Sequence, residues 1–459
     1  MLEQLAEIVG KENVSNSSKD LANFGQDWIK DFQPNPSCII FPRSEKNVQD
    51  VVKFCNEKGL KLVPSGGRTG LSGGATATNQ EVVLSLSKLN SFIEVNPTDR
   101  SLTCEAGVIT EKVQQVASAN GFYFPIDFAS KGSSQIGGNL ATNAGGIRVI
   151  KYGNIRDWVI GLNVVLPDGT LLNLNGSLFK NQTGYDLKSL IIGSEGTLGI
   201  ITKVTLKLTT PPRDLVRVLC GLTSLDSILV FLSQIRSNFP DVSAFEYFPR
   251  LGLEKVLDHH QLKDPFSEAF PYYVLVELER IDNKNQDLLE TFLSDCMEQE
   301  TLAWVVISQN HRQLQELMDL RELLPETLSA LHTLHKNDIS VPVHSIPDFV
   351  RQLDRLILEN YPGFEVVTFG HIGDGNLHIN VLKPKEMTQK DFFDQGKKSD
   401  HHIFGLVQKF SGSISAEHGV GLLKKPFMNY SRTEKEIDIM RQIKKIFDPK
   451  CTLNPGKIF

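Results

Sequence analysis

Pro64-Ser-Gly-Gly-Arg-Thr-Gly-Leu-Ser-Gly-Gly74 packs five glycines into eleven residues directly after Lys61-Leu-Val63, a short strand-like run. Residues without a Cβ let the backbone turn through positive φ and bring successive N–H groups against a ligand, which is how a peptide loop cradles phosphate. Ser65, Thr69 and Ser72 add hydroxyl donors and Arg68 adds charge. The competing interpretation is a flexible surface linker. Against it stand the preceding strand and Leu71, a hydrophobe with no reason to sit in a solvated linker. Neither Gly-x-x-x-x-Gly-Lys-Ser/Thr nor Gly-x-Gly-x-x-Gly can be read here, so a mononucleotide P-loop and a Rossmann fingerprint are both unsupported.

Upstream, Leu2, Leu5, Ile8 and Val9 predict an amphipathic opening helix, and Cys38-Ile-Ile-Phe41 predicts a strand. Val48, Val51, Val52 and Cys55 recur at helical spacing, with Gly59 as the stop. Strand, helix and strand thus lead into the glycine loop. Downstream, residues 81–87, 92–95 and 101–105 predict strands, the last two joined through Asn96-Pro97-Thr98-Asp99. Residues 158–166 and 170–174 predict a hairpin around Pro167-Asp168-Gly169. Two further glycine clusters run from Lys131 to Gly146 and from Thr183 to Gly199. Pro211-Pro212 marks a boundary, because proline continues neither a helix nor a sheet ladder. Beyond it, helices alternate with strands near 242–248, 272–279 and 301–308, which predicts an antiparallel sheet with helices on one face.

A chain of 459 residues exceeds one core and divides into domains. Hydrophobic residues at 40% and charged residues at 22% describe an ordinary globular protein, and a formal charge of -6 argues against sequence-independent nucleic-acid binding. The six cysteines are scattered singly, without the spacing of a zinc, redox or iron–sulfur motif, and are expected to be reduced. No run approaches the roughly 20 apolar residues of a membrane span. A reducing cytoplasm is the expected location, with a peripheral membrane association and a homodimer both allowed.

The motifs Pro-Ser-Gly-Gly-Arg-Thr-Gly70, Ile-Gly-Gly-Asn139, Thr142-Asn143-Ala-Gly-Gly146 and Thr183-Gly-Tyr-Asp186 through Gly-Ser-Glu-Gly-Thr-Leu-Gly199 resemble the FAD-binding half of the vanillyl-alcohol-oxidase superfamily. The resemblance spans nearly the whole chain and is nearest to the D-2-hydroxyglutarate, D-lactate and glycolate dehydrogenase branch. It implies an α+β fold: a PCMH-type FAD-binding domain of two subdomains over 1–212, a substrate-binding α+β domain with an antiparallel sheet over 213–410, and a C-terminal segment over 411–459 that returns to the flavin. It further implies FAD contacts from Ser65, Gly66, Gly67, Arg68, Thr69, Gly70, Gly137, Gly138, Asn139, Thr142, Asn143, Gly145, Gly146, Glu195, Gly196, Ile200 and Asn454. No histidine lies in or near the first loop, so the flavin is expected to be non-covalent.

Phe369-Gly-His371-Ile-Gly-Asp-Gly-Asn-Leu-His378 carries turn residues between two histidines. A hairpin loop from Gly373 to Asn376 would set His371 opposite His378, where two imidazoles can share one metal. The alternative is a pair of sheet histidines with ordinary partners. Ser415-Ala-Glu417-His418-Gly419 offers a third ligand, and two His with one Glu suit Zn²⁺ or a similar ion. The resemblance assigns His371, His378 and Glu417 to the metal and His418 to the general base. It assigns Arg321 and Lys336, on a helical run over 314–335 and at its exit, to substrate carboxylates. Pro325 departs from the branch: it stands where D-2-hydroxyglutarate dehydrogenases carry a substrate-contacting threonine, which keeps D-lactate in play.

The expected reaction is FAD-dependent, metal-assisted oxidation of a D-2-hydroxy acid, with D-2-hydroxyglutarate favoured and D-lactate or glycolate as alternatives. His418 would take the C2 hydroxyl proton while hydride leaves for flavin N5. Electrons would pass to a quinone, an electron-transfer flavoprotein or an iron–sulfur protein. Two rivals are a non-catalytic flavoprotein subunit, which would not need a metal site beside a base, and an oxidase that reduces O₂ directly.

Overall fold

The computed structural model describes residues 1–279 and 281–459. Two compact units emerge. The first comprises Met1–Gly146, Gly153–Pro211 and Glu417–Phe459, the second Ile147–Tyr152 and Pro212–Ala416.

In the first unit, Cys38–Ile40, Val82–Ser85 and Leu62–Ser65 run parallel in that order, and Val14–Ser15 pairs antiparallel on the outside. Val82–Ser85 is buried along its whole length, as a central parallel strand must be. The helix Glu45–Lys58 starts at Ser44, whose hydroxyl accepts from Asn47 N at 3.1 Å, and ends at Gly59 in the left-handed conformation. It buries Val48, Val51, Val52 and Cys55, the four positions its periodicity marks. A second sheet is antiparallel throughout, in the order Ile93–Asn96, Ser101–Glu105, Ile200–Lys207, Val159–Val165, Leu171–Leu174. The predicted turn at Pro167-Asp168-Gly169 is closed by Leu166 N to Thr170 O at 2.8 Å.

The C-terminal residues join the first sheet. Leu453 bridges Leu62 in parallel, with Leu62 N donating to Thr452 O at 2.8 Å and Asn454 N to Leu62 O at 2.7 Å. Lys444, buried on the helix Glu434–Phe447, donates to Asp448 and to the carbonyls of Thr197 and Leu453. Asp448 in turn accepts from Thr452 N and Leu453 N.

The second unit has a four-stranded antiparallel sheet ordered Val242–Pro249, Tyr272–Leu278, Val216–Leu222, Trp304–Ile307, and a three-stranded one ordered Leu334–Ser340, Asn376–Leu382, Glu365–Phe369. An isolated bridge between Tyr247 and Gly370 links the two sheets. Two expectations change here. The helical run over 314–335 is two helices, His311–Glu322 and Leu324–Leu331, followed by the strand Leu334–Ser340. Pro325 has no N–H to continue the ladder, and Leu334, His335 and Lys336 pair with Leu382, Val381 and Asn380 instead. The histidine hairpin is also longer than expected. Phe369, not His371, stands opposite His378, because Gly370 leaves that ladder to exchange hydrogen bonds of 2.9 and 3.0 Å with Tyr247.

Candidate cofactor cavity and active-site residues

The strand Leu62–Ser65 delivers the first glycine loop to a cavity in the first unit that encloses about 990 Å³ of space, part of it open to solvent. Its wall includes Ser65, Gly66, Gly67, Arg68, Thr69, Gly70, Gly137, Gly138, Asn139, Thr142, Glu195, Gly196 and Ile200. The three glycine clusters therefore converge on one hollow. Close approach is the reason for glycine at two of these positions. A Cβ on Gly67 would lie 2.4 Å from Ser133 O, and one on Gly137 would lie 2.7 Å from Ala106 Cβ. Arg68 holds a positive φ of 59° with its guanidinium 4.3 Å from the Phe24 ring centroid.

Asn143, Gly145, Gly146 and Asn454 lie outside that wall. Asn143 caps the helix Ile136–Thr142 at φ 53° and accepts from Arg156 N at 3.2 Å. Asn454 is buried beside the first loop and donates to Gly74 O at 2.9 Å and Glu195 O at 2.7 Å.

Glu195 ties separate stretches of the unit together. Its carboxylate accepts from Val420 N at 2.7 Å and Gly421 N at 2.8 Å. Burial still pushes its pKa above the ordinary range despite those two N–H groups. From the other side, the Ser72 hydroxyl donates to the carbonyls of His418 at 2.7 Å and Gly419 at 3.0 Å. A Cβ on Gly421, at φ 52°, would lie 2.1 Å from Ser72 O. Gripped on both sides, the turn sets His418 in the cavity wall among the glycine loops. Its Nε2 lies 3.6 Å from Glu417 Oε1.

Sequence reasoning missed Asp27, Gln135 and Ser194, which also line the cavity. Gln135 and Ser194 lie within the second and third glycine clusters, and Asp27 belongs to no local pattern that announces a site. Ser65 Oγ, Gln135 Oε1, Ser194 Oγ and Asp27 Oδ2 are buried without a protein hydrogen-bond partner. Buried polar atoms are normally satisfied, so a wall with four such atoms fits a polar group bound in this hollow.

The second unit holds the other candidates. His371 and His378 face each other with ring centroids 5.3 Å apart. His371 Nδ1 lies 2.7 and 2.9 Å from the two oxygens of Glu246, a fully buried carboxylate on Val242–Pro249. Arg321, on His311–Glu322, places Nη2 2.9 Å from Glu246 Oε2 and its guanidinium 4.7 Å from the Phe369 centroid. Burial alone would raise the Glu246 pKa; the charges of His371 and Arg321 outweigh it and leave it lowered. Arg321 Nε is buried without a partner. Lys336 is exposed and donates to Ser329 Oγ at 2.9 Å.

These features define a PCMH-type FAD-binding protein, and the solved structures agree on that fold. The chain superposes on p-cresol methylhydroxylase with substrate bound at a TM-score of 0.78 and 15% identity, covering 100% of this chain and 96% of that one. It superposes on 4-ethylphenol oxidase from Gulosibacter chungangensis at 0.77 and 16%, again covering 100% and 96%. Residues 36–175 match an FAD binding domain and residues 211–458 match the C-terminal domain of FAD linked oxidases. The chain belongs to the FAD-linked oxidases and is an FAD-dependent oxidoreductase. It is 46% identical to D-2-hydroxyglutarate dehydrogenase of Stutzerimonas stutzeri over 100% of this chain and 98% of that one. To the mitochondrial D-2-hydroxyglutarate dehydrogenase of Danio rerio it is 35% identical, over 94% and 80%.

Proposed function

We propose that this protein oxidises D-2-hydroxyglutarate to 2-oxoglutarate. The observation that carries the reading is 46% identity along essentially the full length of a relative of that name, in a chain whose cavity wall includes a histidine among the glycine loops. When bound, FAD supplies the hydride acceptor and a divalent ion supplies Lewis acidity at the substrate oxygens. Ser65, Gly66, Gly67, Arg68, Thr69 and Gly70 hold the cofactor from one side, with Gly137, Gly138, Asn139 and Thr142 from another. His371, His378 and Glu417 hold the ion, and Zn²⁺ suits their two nitrogens and one carboxylate. The fit is supported by the chemistry of the pair: His371 Nδ1 meets Glu246 at 2.7 Å, which leaves its Nε2 for a metal, and the His378 ring faces that of His371 with Nδ1 3.6 Å from Asp338.

Arg321 binds a substrate carboxylate, for which its buried Nε is a donor awaiting an acceptor, and Lys336 adds a second positive charge. His418 takes the C2 hydroxyl proton. The scattered cysteines offer no cluster, so electrons leave to a separate acceptor: a quinone, an electron-transfer flavoprotein or an iron–sulfur protein.

An anaerobic visible spectrum of the metal-replete protein tests the substrate. Rapid bleaching of the flavin band by D-2-hydroxyglutarate, and not by its L-isomer, is expected. Bleaching by D-lactate or glycolate alone would reassign the substrate, and bleaching by none would favour a subunit without substrate chemistry. His418→Ala should slow flavin reduction by about 10²–10⁴-fold with the flavin retained; reduction at the wild-type rate removes His418 from the mechanism.

A further inference from the structure

Glu246 has no place in the chemistry set out above, yet it touches two groups that do. It is fully buried, and a carboxylate without water persists only when its charge and lone pairs are met by protein. Arg321 Nη2 meets one oxygen at 2.9 Å. The imidazole of His371 meets both, at 2.7 and 2.9 Å. The ionised carboxylate accepts and cannot donate, so Nδ1 carries a proton, and a neutral, metal-binding His371 keeps its lone pair on Nε2. The backbone enforces the encounter. Tyr247, next to Glu246, exchanges two hydrogen bonds with Gly370, next to His371, and Gly370 tolerates no Cβ because one would fall 2.3 Å from Asn376 O. The corresponding carboxylate at His378 is looser: Asp338 Oδ1 stands 3.6 Å from Nδ1 and accepts instead from Asn376 Nδ2 at 2.9 Å.

We infer that Glu246 is a positioning residue that serves both halves of the chemistry at once, fixing the tautomer and aim of the metal-ligand His371 and anchoring the substrate-binding Arg321. The inference rests on the metal-assisted reading. Through Glu246, the guanidinium that binds the acid and the imidazole that holds the ion share one rigid anchor. Phe369 completes the support, with its ring 4.7 Å from the Arg321 guanidinium and 5.3 Å from the His378 ring.

Glu246→Gln tests this in the flavin-loaded, chelator-stripped protein. Zn²⁺ affinity, read by competition with a chromogenic chelator, should fall about 10–100-fold, the usual cost of losing such an outer carboxylate. The KM for D-2-hydroxyglutarate should stay raised when Zn²⁺ is then made saturating, because Arg321 has also lost its anchor. Wild-type values for both overturn the inference. Wild-type protein that binds Zn²⁺, loses it in His371→Ala and keeps it in Glu246→Gln overturns this inference alone. Wild-type protein that binds no Zn²⁺ overturns the metal reading and the inference together. Should Glu246→Gln fail to fold, the wild type decides. With ¹⁵N-labelled histidine, the Zn²⁺-loaded His371 ring, assigned by its loss in His371→Gln, should keep its proton on Nδ1 and ligate through Nε2; a proton on Nε2 with Zn²⁺ on Nδ1 refutes the role.

Discussion

At the scale of single residues, glycines of neighbouring cavity motifs do different work. A Cβ on Gly138 would meet nothing within 4 Å, although Gly138 lines the cavity; a Cβ on Gly67 would strike the Ser133 carbonyl. Gly67→Ala should therefore cost about 1–3 kcal/mol of stability through overpacking, measured by denaturant melting of the apoprotein. Gly138→Ala lies in the helix Ile136–Thr142, where alanine is the better helix former by up to about 1 kcal/mol. It should leave the apoprotein at least as stable while lowering flavin content per chain. Unchanged flavin content in Gly138→Ala would remove this glycine from the cofactor's path. The two motifs identified both glycines in advance. Which of them faces protein and which faces the hollow depended on where Ser133 falls, and no local pattern encodes that.

At the scale of elements, strands and helices followed periodicity closely where one face had to be buried. Val48, Val51, Val52 and Cys55 line up because 3.6 residues make a turn, and the helix stops at Gly59 because glycine takes the left-handed conformation cheaply. The histidine hairpin was misjudged because turn residues allow several loop lengths; pairing of Gly370 with a distant strand chose among them. Other long-range choices are electrostatic. Glu277, fully buried on Tyr272–Leu278, accepts from Arg148 Nε at 2.8 Å, Arg217 Nε at 2.9 Å and Ser243 Oγ at 2.8 Å. Burial would raise its pKa, but the two guanidiniums outweigh it and bring the value down from 4.5 to about 2. A depressed carboxylate contributes stability that is present above pH 4.5 and lost as pH falls through about 2. At about 1.4 kcal/mol per unit, the contribution at neutral pH is about 3 kcal/mol. Glu277→Gln should lose about that much at pH 7 and show a flatter acid limb between those two pH values, read from urea midpoints across pH. Parallel pH profiles for variant and wild type would mean that the carboxylate titrates elsewhere.

At the scale of the whole molecule, the scattered cysteines are single thiols. Cys38, Cys55, Cys104, Cys220 and Cys296 are buried, and Cys451 alone is exposed. Burial pushes the Cys55 thiol up to about 12 and Cys296 to about 11, so neither supplies thiolate at neutral pH. Ellman's reagent should consume one thiol quickly in the native protein and the remaining five only in denaturant, with the fast thiol absent in Cys451→Ser. Two or more fast thiols would contradict the burial. Among the described residues no helix is long and apolar enough to cross a membrane.

The sequence by itself determined the class of this protein. Glycine clusters, a proline boundary and helical periodicity are short-range properties, each set by what one backbone segment can adopt, and together they carried the α+β architecture and the flavin family. It also marked His371, His378 and Glu417, whose types and turn spacing suit a metal, while the family resemblance pointed to His418 for proton chemistry and Arg321 for a carboxylate. Only the tertiary structure decided which groups are held and by what. Glu246 lies 125 positions from His371 in a strand that reads as ordinary sheet, and Asp27 enters the cavity wall from a stretch without a motif. A buried carboxylate acquires its role from the partners that replace water around it, and those partners are chosen by the packing of distant strands.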